Sequence, residues 1–198
     1  MSGGDDRNGT GGVPAAMVEA ATRHWIDTIV VGLGLCPFAG PALARDLVRL
    51  RVVESEDTAE ILARVAAAAS ELLDADEPDA TTLLVLSAGV GEFDDYLDLL
   101  ALAEALLEEL GHEGALQIAS FHPDYLFDGS EDADVANATN RSPFPMLQLL
   151  QEPSVSRAVD AHPDPEGIPE RNVEKMRAIG AVGLRALLAP RASDATLH

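Results

Sequence analysis

The sequence predicts an α/β fold, with a small, mostly parallel sheet of about three strands joined by crossover helices. Strand-like and helix-like apolar spacings alternate between residues 47 and 121, which is the order expected when helices connect parallel strands. One segment, Thr81–Ser87, is apolar without alternation, as in a strand covered on both faces. Helical patterns before and after this region predict a flanking N-terminal helix and a C-terminal helical cap.

Length and composition agree with one folded unit. The 198 residues are 47% hydrophobic and 24% charged, so we expect a single domain over 14–190, with a disordered tail at 1–13 and a C-terminal tail at 191–198. The first residues contain neither a basic start nor an apolar run, and Cys36 has no second cysteine to pair with. These features predict a cytoplasmic location.

The charge balance excludes some classes of partner. Thirteen Lys and Arg residues against thirty-four Asp and Glu residues give a net charge of −21. Such a chain repels the phosphate backbone and anionic lipid surfaces, so we expect neither nucleic acid nor a membrane as a partner.

The first elements follow from apolar spacing. A helix begins near residue 18, and Gly32-Leu-Gly34 ends it because glycine terminates helices. Leu47–Glu54 alternates and predicts a half-buried strand near a sheet edge. Asp57 and Glu60 resemble a capping box at the start of the next helix, which runs toward residue 74.

Later elements complete the predicted order. Thr81–Ser87 is the predicted central strand, a helix follows from Phe93 to Leu110, and Ala115–Phe121 forms the third strand. Helices are then predicted at 143–151, 154–161 and 167–188. In the last of them, the spacing predicts that four residues face the core: Val173, Met176, Ile179 and Val182.

The long aperiodic segment 120–143 is the main candidate for chemistry, because long loops in compact domains often carry function. His122, oriented by Asp124, is a candidate acid or base at the end of a strand. Arg141, with Asn140 beside it and Ser142 as the predicted cap of the following helix, is a candidate anion-binding group.

Each candidate also has a structural interpretation. His122 and Asp124 are equally typical of a turn in which the imidazole packs and the carboxylate bonds backbone amides. Arg141 is as well explained by pairing with the acidic loop, and Asn140 by a turn. A metal site is not predicted, since no third ligand stands at a useful spacing.

Cys36 has two interpretations of the same kind. It follows a helix C-terminus, whose partial negative charge disfavours a thiolate, so it is interpreted as a small buried hydrophobic residue unless His122 or Arg141 folds against it. With such a neighbour, Cys36 becomes a candidate nucleophile.

Several motifs in order resemble a bacterial family of uncharacterised proteins, classed as a domain of unknown function. The motifs are Gly32-Leu-Gly-Leu-Cys-Pro-Phe-Ala39, Ser120-Phe-His-Pro-Asp-Tyr125 and Thr139-Asn-Arg-Ser-Pro-Phe-Pro145, followed by Arg171-Asn172. The resemblance implies that one pocket unites the recurring polar positions, which are Cys36, His122, Asn140, Arg141, Ser142 and Arg171. It implies no activity or cofactor, and the family more usually has His where this chain has Gln148.

Two hypotheses of function follow. The first is a small-molecule enzyme or ligand-binding protein whose pocket, formed by the link at 35–39 and the loop at 120–143, accepts a small anionic ligand. Its predicted catalytic residues are His122, Asp124 and Cys36. Its predicted substrate-binding residues are Asn140, Arg141, Ser142 and Arg171. The alternative is a non-catalytic interaction module that docks a basic partner on the acidic helix of 92–113.

Overall fold

The computed structural model describes residues 13–188, so the tails predicted at 1–13 and 191–198 lie, apart from Val13, outside the described residues. Helices occupy Ala15–Trp25 (α1), Ala39–Ala44 (α2), Thr58–Asp74 (α3), Phe93–Glu109 (α4), Glu152–Ala161 (α5) and Gly167–Leu188 (α6). Strands occupy Val48–Val53 (β1), Thr81–Leu86 (β2), Leu116–Phe121 (β3) and Met146–Gln151 (β4). A π-helical turn, Ile26–Val31, extends α1, and a short 3-10 helix covers Val135–Thr139.

The strands form one sheet in the order β1-β2-β4-β3. β1 and β2 are parallel, whereas β4 is antiparallel to both of its neighbours. The α/β class and the flanking N-terminal and C-terminal helices are confirmed, as are the central position of β2 and the edge position of β1. The sheet nevertheless has four strands, and two of its three pairings are antiparallel, so it is not mostly parallel.

The difference comes from the segment 143–151, where the predicted helix is wrong because Met146–Gln151 is strand β4. A short apolar run does not distinguish a buried strand from a helix by its spacing. Ser142 followed by Pro143 also imitates a helix start. In the structure the Ser142 hydroxyl donates to the carbonyl oxygen of Phe144 at 2.6 Å, inside the turn that precedes β4, and caps no helix.

Two helices cover most of one face of the sheet. Helices α3 and α4 pack on it, and the Asp57 carboxylate fixes the start of α3 by accepting from the Glu60 N–H at 2.8 Å, as predicted. The buried strand residues on this face come from all four strands and form one apolar cluster with both helices: Val53, Leu84, Leu86, Leu116, Leu147 and Leu149. This cluster is the larger of the two, and beside it Arg51 of the outer strand β1 is exposed and lines an open cavity of about 730 Å³ next to α3.

The opposite face is covered only in part. Trp25 and Ile29, from α1 and the π-helical turn, pack with Met176 of α6 over Val85 and Met146. The helix predicted to stop at Gly32 ends there, with Gly34 in the left-handed region at φ +62°. The side chains of Asn172 and Lys175 then donate to carbonyl oxygens of the link after the helix, which ties that link to α6.

Helix α6 is kinked at Gly180, whose φ of +67° and ψ of 169° lie outside the helical region. Met176 is fully buried, as predicted, but Val182 is 75% exposed and does not face the core. The helical spacing that placed Val182 inside assumes an unbroken helix, and the kink rotates the last turns. Leu184 takes its place in the apolar cluster.

Candidate functional site

A cleft of about 950 Å³ lies over the incompletely covered face of the sheet. Its floor is made by side chains of all four strands, and its walls by the π-helical turn, the Cys36 link, α2, α5 and α6. The floor residues share one face because side chains alternate along each strand. They are Val48 of β1, Thr81 and Leu83 of β2, Ala119 and Phe121 of β3, and Gln148 and Leu150 of β4.

Most of the lining is apolar. Trp25 and Leu35 form one wall with Phe38, and Val155 of α5 and Ile168 of α6 form another. Helix α5 follows β4 directly and contributes to the lining at the end of the strand. Apolar surface of this kind, shaped as a cleft, is what small organic ligands generally bind.

A charged cluster stands at one end of the cleft. The Asp79 carboxylate accepts from Ser154 Oγ at 2.8 Å, from the Arg157 guanidinium at 3.0 Å and from the Arg45 guanidinium at 2.9 Å. The hydrogen bond from Ser154, with those from the two arginines, lowers the pKa of Asp79 to about 2. The carboxylate is therefore ionised at neutral pH.

This cluster carries an excess of positive charge. Arg45, Asp79 and Arg157 are the charged side chains that line the cleft within residues 13–188, and two cations face one anion. Each guanidinium has five N–H donors and gives one of them to Asp79, so donors remain for another acceptor. An anion that enters from this end meets a local positive charge in a chain whose net charge is −21.

Cys36 lies in the wall of the cleft and is partly buried. The link that carries it is held by Asn172 Nδ2, which donates to the Leu35 carbonyl oxygen at 2.7 Å. Within the described residues, no histidine lines the cleft, so neither His122 nor Arg141 folds against this thiol there. The structure thus places Cys36 where a ligand would contact it, while the nearby His162, whose ring centroid is 6.1 Å from that of Phe38, lines the smaller neighbouring cavity and not the cleft.

His122 lies on the other side of the sheet end, away from the cleft. Its side chain is fully buried, with ring centroids 5.3 Å from Phe93 and 5.1 Å from Tyr96. The Asp124 backbone N–H donates to Nδ1 at 3.0 Å, so Nε2 carries the proton and donates to the Val90 carbonyl oxygen at 3.3 Å. The imidazole is neutral and fully bonded, and burial lowers its pKa.

Asp124 contacts the His122 ring through its backbone N–H. Asp124 itself is an exposed residue. Asn140 does line the cleft, and its Nδ2 donates to the Ser120 carbonyl oxygen at 3.2 Å. Ser142 is buried in the turn before β4. The structure therefore brings Asn140 and Cys36 to one cleft and leaves the imidazole outside it.

The Arg141 guanidinium also points away from the cleft. Its Nε donates to the Tyr125 carbonyl oxygen at 3.1 Å, and it pairs with the Asp132 carboxylate at 2.7 Å. The Arg141 carbonyl oxygen accepts from the Trp25 indole at 2.9 Å, which ties the loop to the first helix. The expected convergence of Cys36, His122 and Arg141 is not found, because the loop folds onto itself through Arg141.

Arg171 lines a different, smaller cavity of about 520 Å³, together with His162 and Lys175. It pairs with Asp164, and its hydrogen bond holds the pKa of that carboxyl below the usual range. Among the polar side chains of α6, Asn172 alone lines both this cavity and the larger cleft, and it is the neighbour of Arg171 in the chain.

Sequence reasoning missed the charged cluster and the polar pair on the floor. Arg45, Asp79 and Arg157 are far apart along the chain, and no motif joins them. Thr81 and Gln148 leave a faint signal, since each is a polar residue inside an apolar strand. Sequence reasoning also missed Asn137, which holds the loop together. Its fully buried side-chain amide accepts from the Phe127 N–H at 3.1 Å and donates to the Glu131 carbonyl oxygen at 2.9 Å.

Residues 13–188, the part of the chain that the structure describes, contain neither a membrane-spanning helix nor a clustered metal site. No helix there combines the length and apolarity needed to cross a membrane. No group of three or more His, Cys, Asp or Glu side chains there is placed to hold a metal ion.

Comparison with known proteins leads to a family without an assigned function. No curated protein and no solved structure matches the chain. Residues 17–186, which include the whole sheet, the Cys36 link and the walls of the cleft, match the family described as a protein of unknown function, DUF1415. The chain belongs to this DUF1415 family.

Proposed function

We propose that this protein binds a small organic anion in the cleft over the sheet, either as a ligand-binding protein or as an enzyme acting on that anion. The observation that carries the proposal is the pairing of an apolar cleft of about 950 Å³ with an arginine pair at one end. The ligand has an apolar body that the cleft buries and a carboxylate or phosphate that Arg45 and Arg157 bind.

The apolar lining supports the first part of this ligand. Phe38 and Phe121 are large, half-buried side chains that line the cleft. Burial of apolar surface favours binding by about 25 cal/mol per Å² before the costs of association are subtracted. A ligand that fills the cleft removes this surface from water.

The charged cluster supports the second part. Arg45 and Arg157 are already oriented by Asp79, so less conformational entropy is lost when they bind an anion than if both side chains were free. Hydrogen bonds from guanidinium groups to a carboxylate are charge-assisted and can be bidentate.

Binding is better supported than a particular reaction. Cys36 is the candidate nucleophile in the wall, but a thiol needs a cation or a base to become a thiolate, and no histidine lines the cleft within residues 13–188. The catalytic roles of Cys36, His122 and Asp124, and the binding roles of Arg141, Ser142 and Arg171, stay predictions. A cytoplasmic location also stays a prediction.

The alternative function is an interaction module that uses the acidic segment 92–113. Helix α4 exposes its acidic residues, such as Asp94, Asp98 and Glu108, together with Leu97 and Leu102. This arrangement is also typical of an ordinary solvated helix face, so the cleft remains the better supported site.

Calorimetric titration with octanoate, 4-phenylbutanoate and the two corresponding amides tests the proposed function. We expect at least one carboxylate to bind about tenfold more tightly than its amide, because a hydrogen bond to a charged group contributes about 1.5–3 kcal/mol. Arg157→Gln is expected to remove this preference. Arg64→Gln, which removes an arginine paired only with Glu60 on α3, serves as the matched control and should change nothing.

Equal affinities for acids and amides would refute the arginine pair as an anion site. Failure of all four compounds to bind would remove the cleft as the site for ligands of this class and leave the acidic helix as the hypothesis to test.

A further inference from the structure

The cleft is elongated and its charge is confined to one end. Asp79 lies just before β2, and Ser154 and Arg157 lie just after β4, whereas Phe121 at the far end pairs with Met146 at the start of β4. The strand between these ends is six residues long, which spans about 17 Å at roughly 3.4 Å per residue. A ligand anchored at the arginines therefore extends along the strands toward Phe121.

Between the two ends the floor is apolar except at one position. Gln148 stands opposite Leu83 on β2 and Ala119 on β3, so its neighbours across the sheet offer no hydrogen bonds from their side chains. Its side chain is only partly exposed and lines the cleft. An amide in this environment is costly unless its polar atoms find partners.

The amide of Gln148 is oriented by its diagonal neighbour. Thr81 donates its hydroxyl proton to the Leu149 carbonyl oxygen at 2.7 Å, so Thr81 Oγ1 accepts the hydrogen bond from Gln148 Nε2 at 3.0 Å. Within residues 13–188, the Gln148 carbonyl oxygen and its second amide N–H make no hydrogen bond. A fixed amide with both a free donor and a free acceptor thus faces the middle of the cleft.

We infer that the ligand is an elongated acyl carboxylate that carries a hydroxyl or carbonyl group part-way along its chain, and that Gln148 binds this group. The inference rests on the proposed function, because the carboxylate is the group held by Arg45 and Arg157. The acyl chain fills the apolar floor on either side of Gln148.

Titration of the wild-type protein with decanoate and with its 3-hydroxy, 5-hydroxy and 8-hydroxy derivatives tests this inference. At least one derivative should bind about two- to tenfold more tightly than decanoate, which is the gain of one additional hydrogen bond to a partly buried amide. A position-dependent gain is expected because Gln148 lies at a fixed distance from the arginines. If every derivative binds no more tightly than decanoate, the inference is wrong.

Gln148→Met assigns the effect to this side chain, because methionine has nearly the shape of glutamine but no amide. The variant should bind decanoate at least as tightly as the wild type and should lose the preference for the hydroxylated acid. The matched control is Gln117→Met, which changes an exposed glutamine on β3 and should keep the preference. A preference that survives in Gln148→Met would overturn the assignment.

The outcomes separate this inference from the proposed function. Tighter binding of octanoate than of octanamide, without any gain from a hydroxyl group on decanoate, refutes the inference and leaves the anion site in place. No binding of decanoate or its derivatives refutes the inference and, together with equal affinities for octanoate and octanamide, the proposed function as well. The wild-type comparison decides the inference even if Gln148→Met does not fold.

Discussion

At position 122, a histidine that sequence reasoning treats as a candidate base is a neutral member of the core. Phe93 and Tyr96 surround its ring, and both ring nitrogens are bonded to backbone groups. The Tyr96 hydroxyl lies in the same cluster, donating to the Met146 carbonyl oxygen at 2.8 Å and accepting from the Phe121 N–H at 3.1 Å. His122 thus joins the start of the loop to helix α4.

This environment predicts how stability depends on pH. Burial lowers the pKa of His122 in the folded state, so the unfolded chain takes up the proton first as the pH falls. The stabilising contribution is therefore complete above the unfolded pKa, about 6.5, and is lost as the pH falls from there through the folded pKa. Urea unfolding at a series of pH values from neutral to mildly acidic should show this decline.

Two variants isolate the contribution of His122. His122→Asn retains an oxygen that can accept from the Asp124 N–H but has no titrating group. The variant should be less stable than the wild type, and its free energy of unfolding should change much less with pH in this range. His112→Gln removes a histidine outside the buried cluster, and its free energy of unfolding should decline with falling pH as steeply as that of the wild type. An equal slope in the wild type and in His122→Asn would show that other groups cause the decline.

At the scale of elements, α6 connects the cleft with the core. Ile168 and Asn172, in its first turns, line the cleft, and Met176 and Leu184 pack in the apolar cluster on the same side of the sheet. Leu184 follows Gly180, where the helix changes direction, and this kink sets the face of the last turns that meets the cluster. The backbone angles there are essentially restricted to glycine.

Gly180→Ala should therefore destabilise the fold by about 1–3 kcal/mol, the usual cost of a strained backbone conformation. No heavy atom lies within 4 Å of the position that the new Cβ would take, so the loss comes from the backbone and not from a clash. Chemical denaturation measures the difference. Gly91→Ala, equally free of contacts and without a positive φ, should be neutral; an equal effect of both changes would contradict this explanation.

At the scale of the whole molecule, charge repulsion opposes folding. The net charge is −21, and the ion pairs between described residues have largely exposed side chains. Exposed pairs of this kind contribute little to stability. Mutual repulsion among the acidic side chains therefore outweighs the attraction within these pairs.

Salt should consequently stabilise the protein. Raising the ionic strength from about 0.01 M to about 0.15 M shortens the screening length from about 30 Å to about 8 Å, which weakens repulsion between distant carboxylates more than attraction within close pairs. Thermal unfolding followed by circular dichroism should show a higher Tm in the saltier buffer. KCl and NaCl at the same ionic strength should agree, and an unchanged or lower Tm would contradict the argument.

The sequence by itself determined the α/β class, the flanking helices, the capped start of α3 at Asp57 and the buried central strand β2, because these features depend on local spacing and on residues near one another in the chain. It also predicted one pocket between the link at 35–39 and the loop at 120–143, and in the structure Cys36 and Asn140 both line the cleft. Local sequence patterns are therefore sufficient to predict these features.

Only the tertiary structure decided the position of β4, since its short apolar run suits a helix or a strand and its pairing with β2 and β3 selects the strand. The same pairing places Gln148 beside Thr81 and α5 beside Asp79. The site therefore depends on contacts between residues far apart in the chain, 78 positions for Arg157 and Asp79 and 137 positions for Asn172 and Leu35, and no local pattern records those contacts.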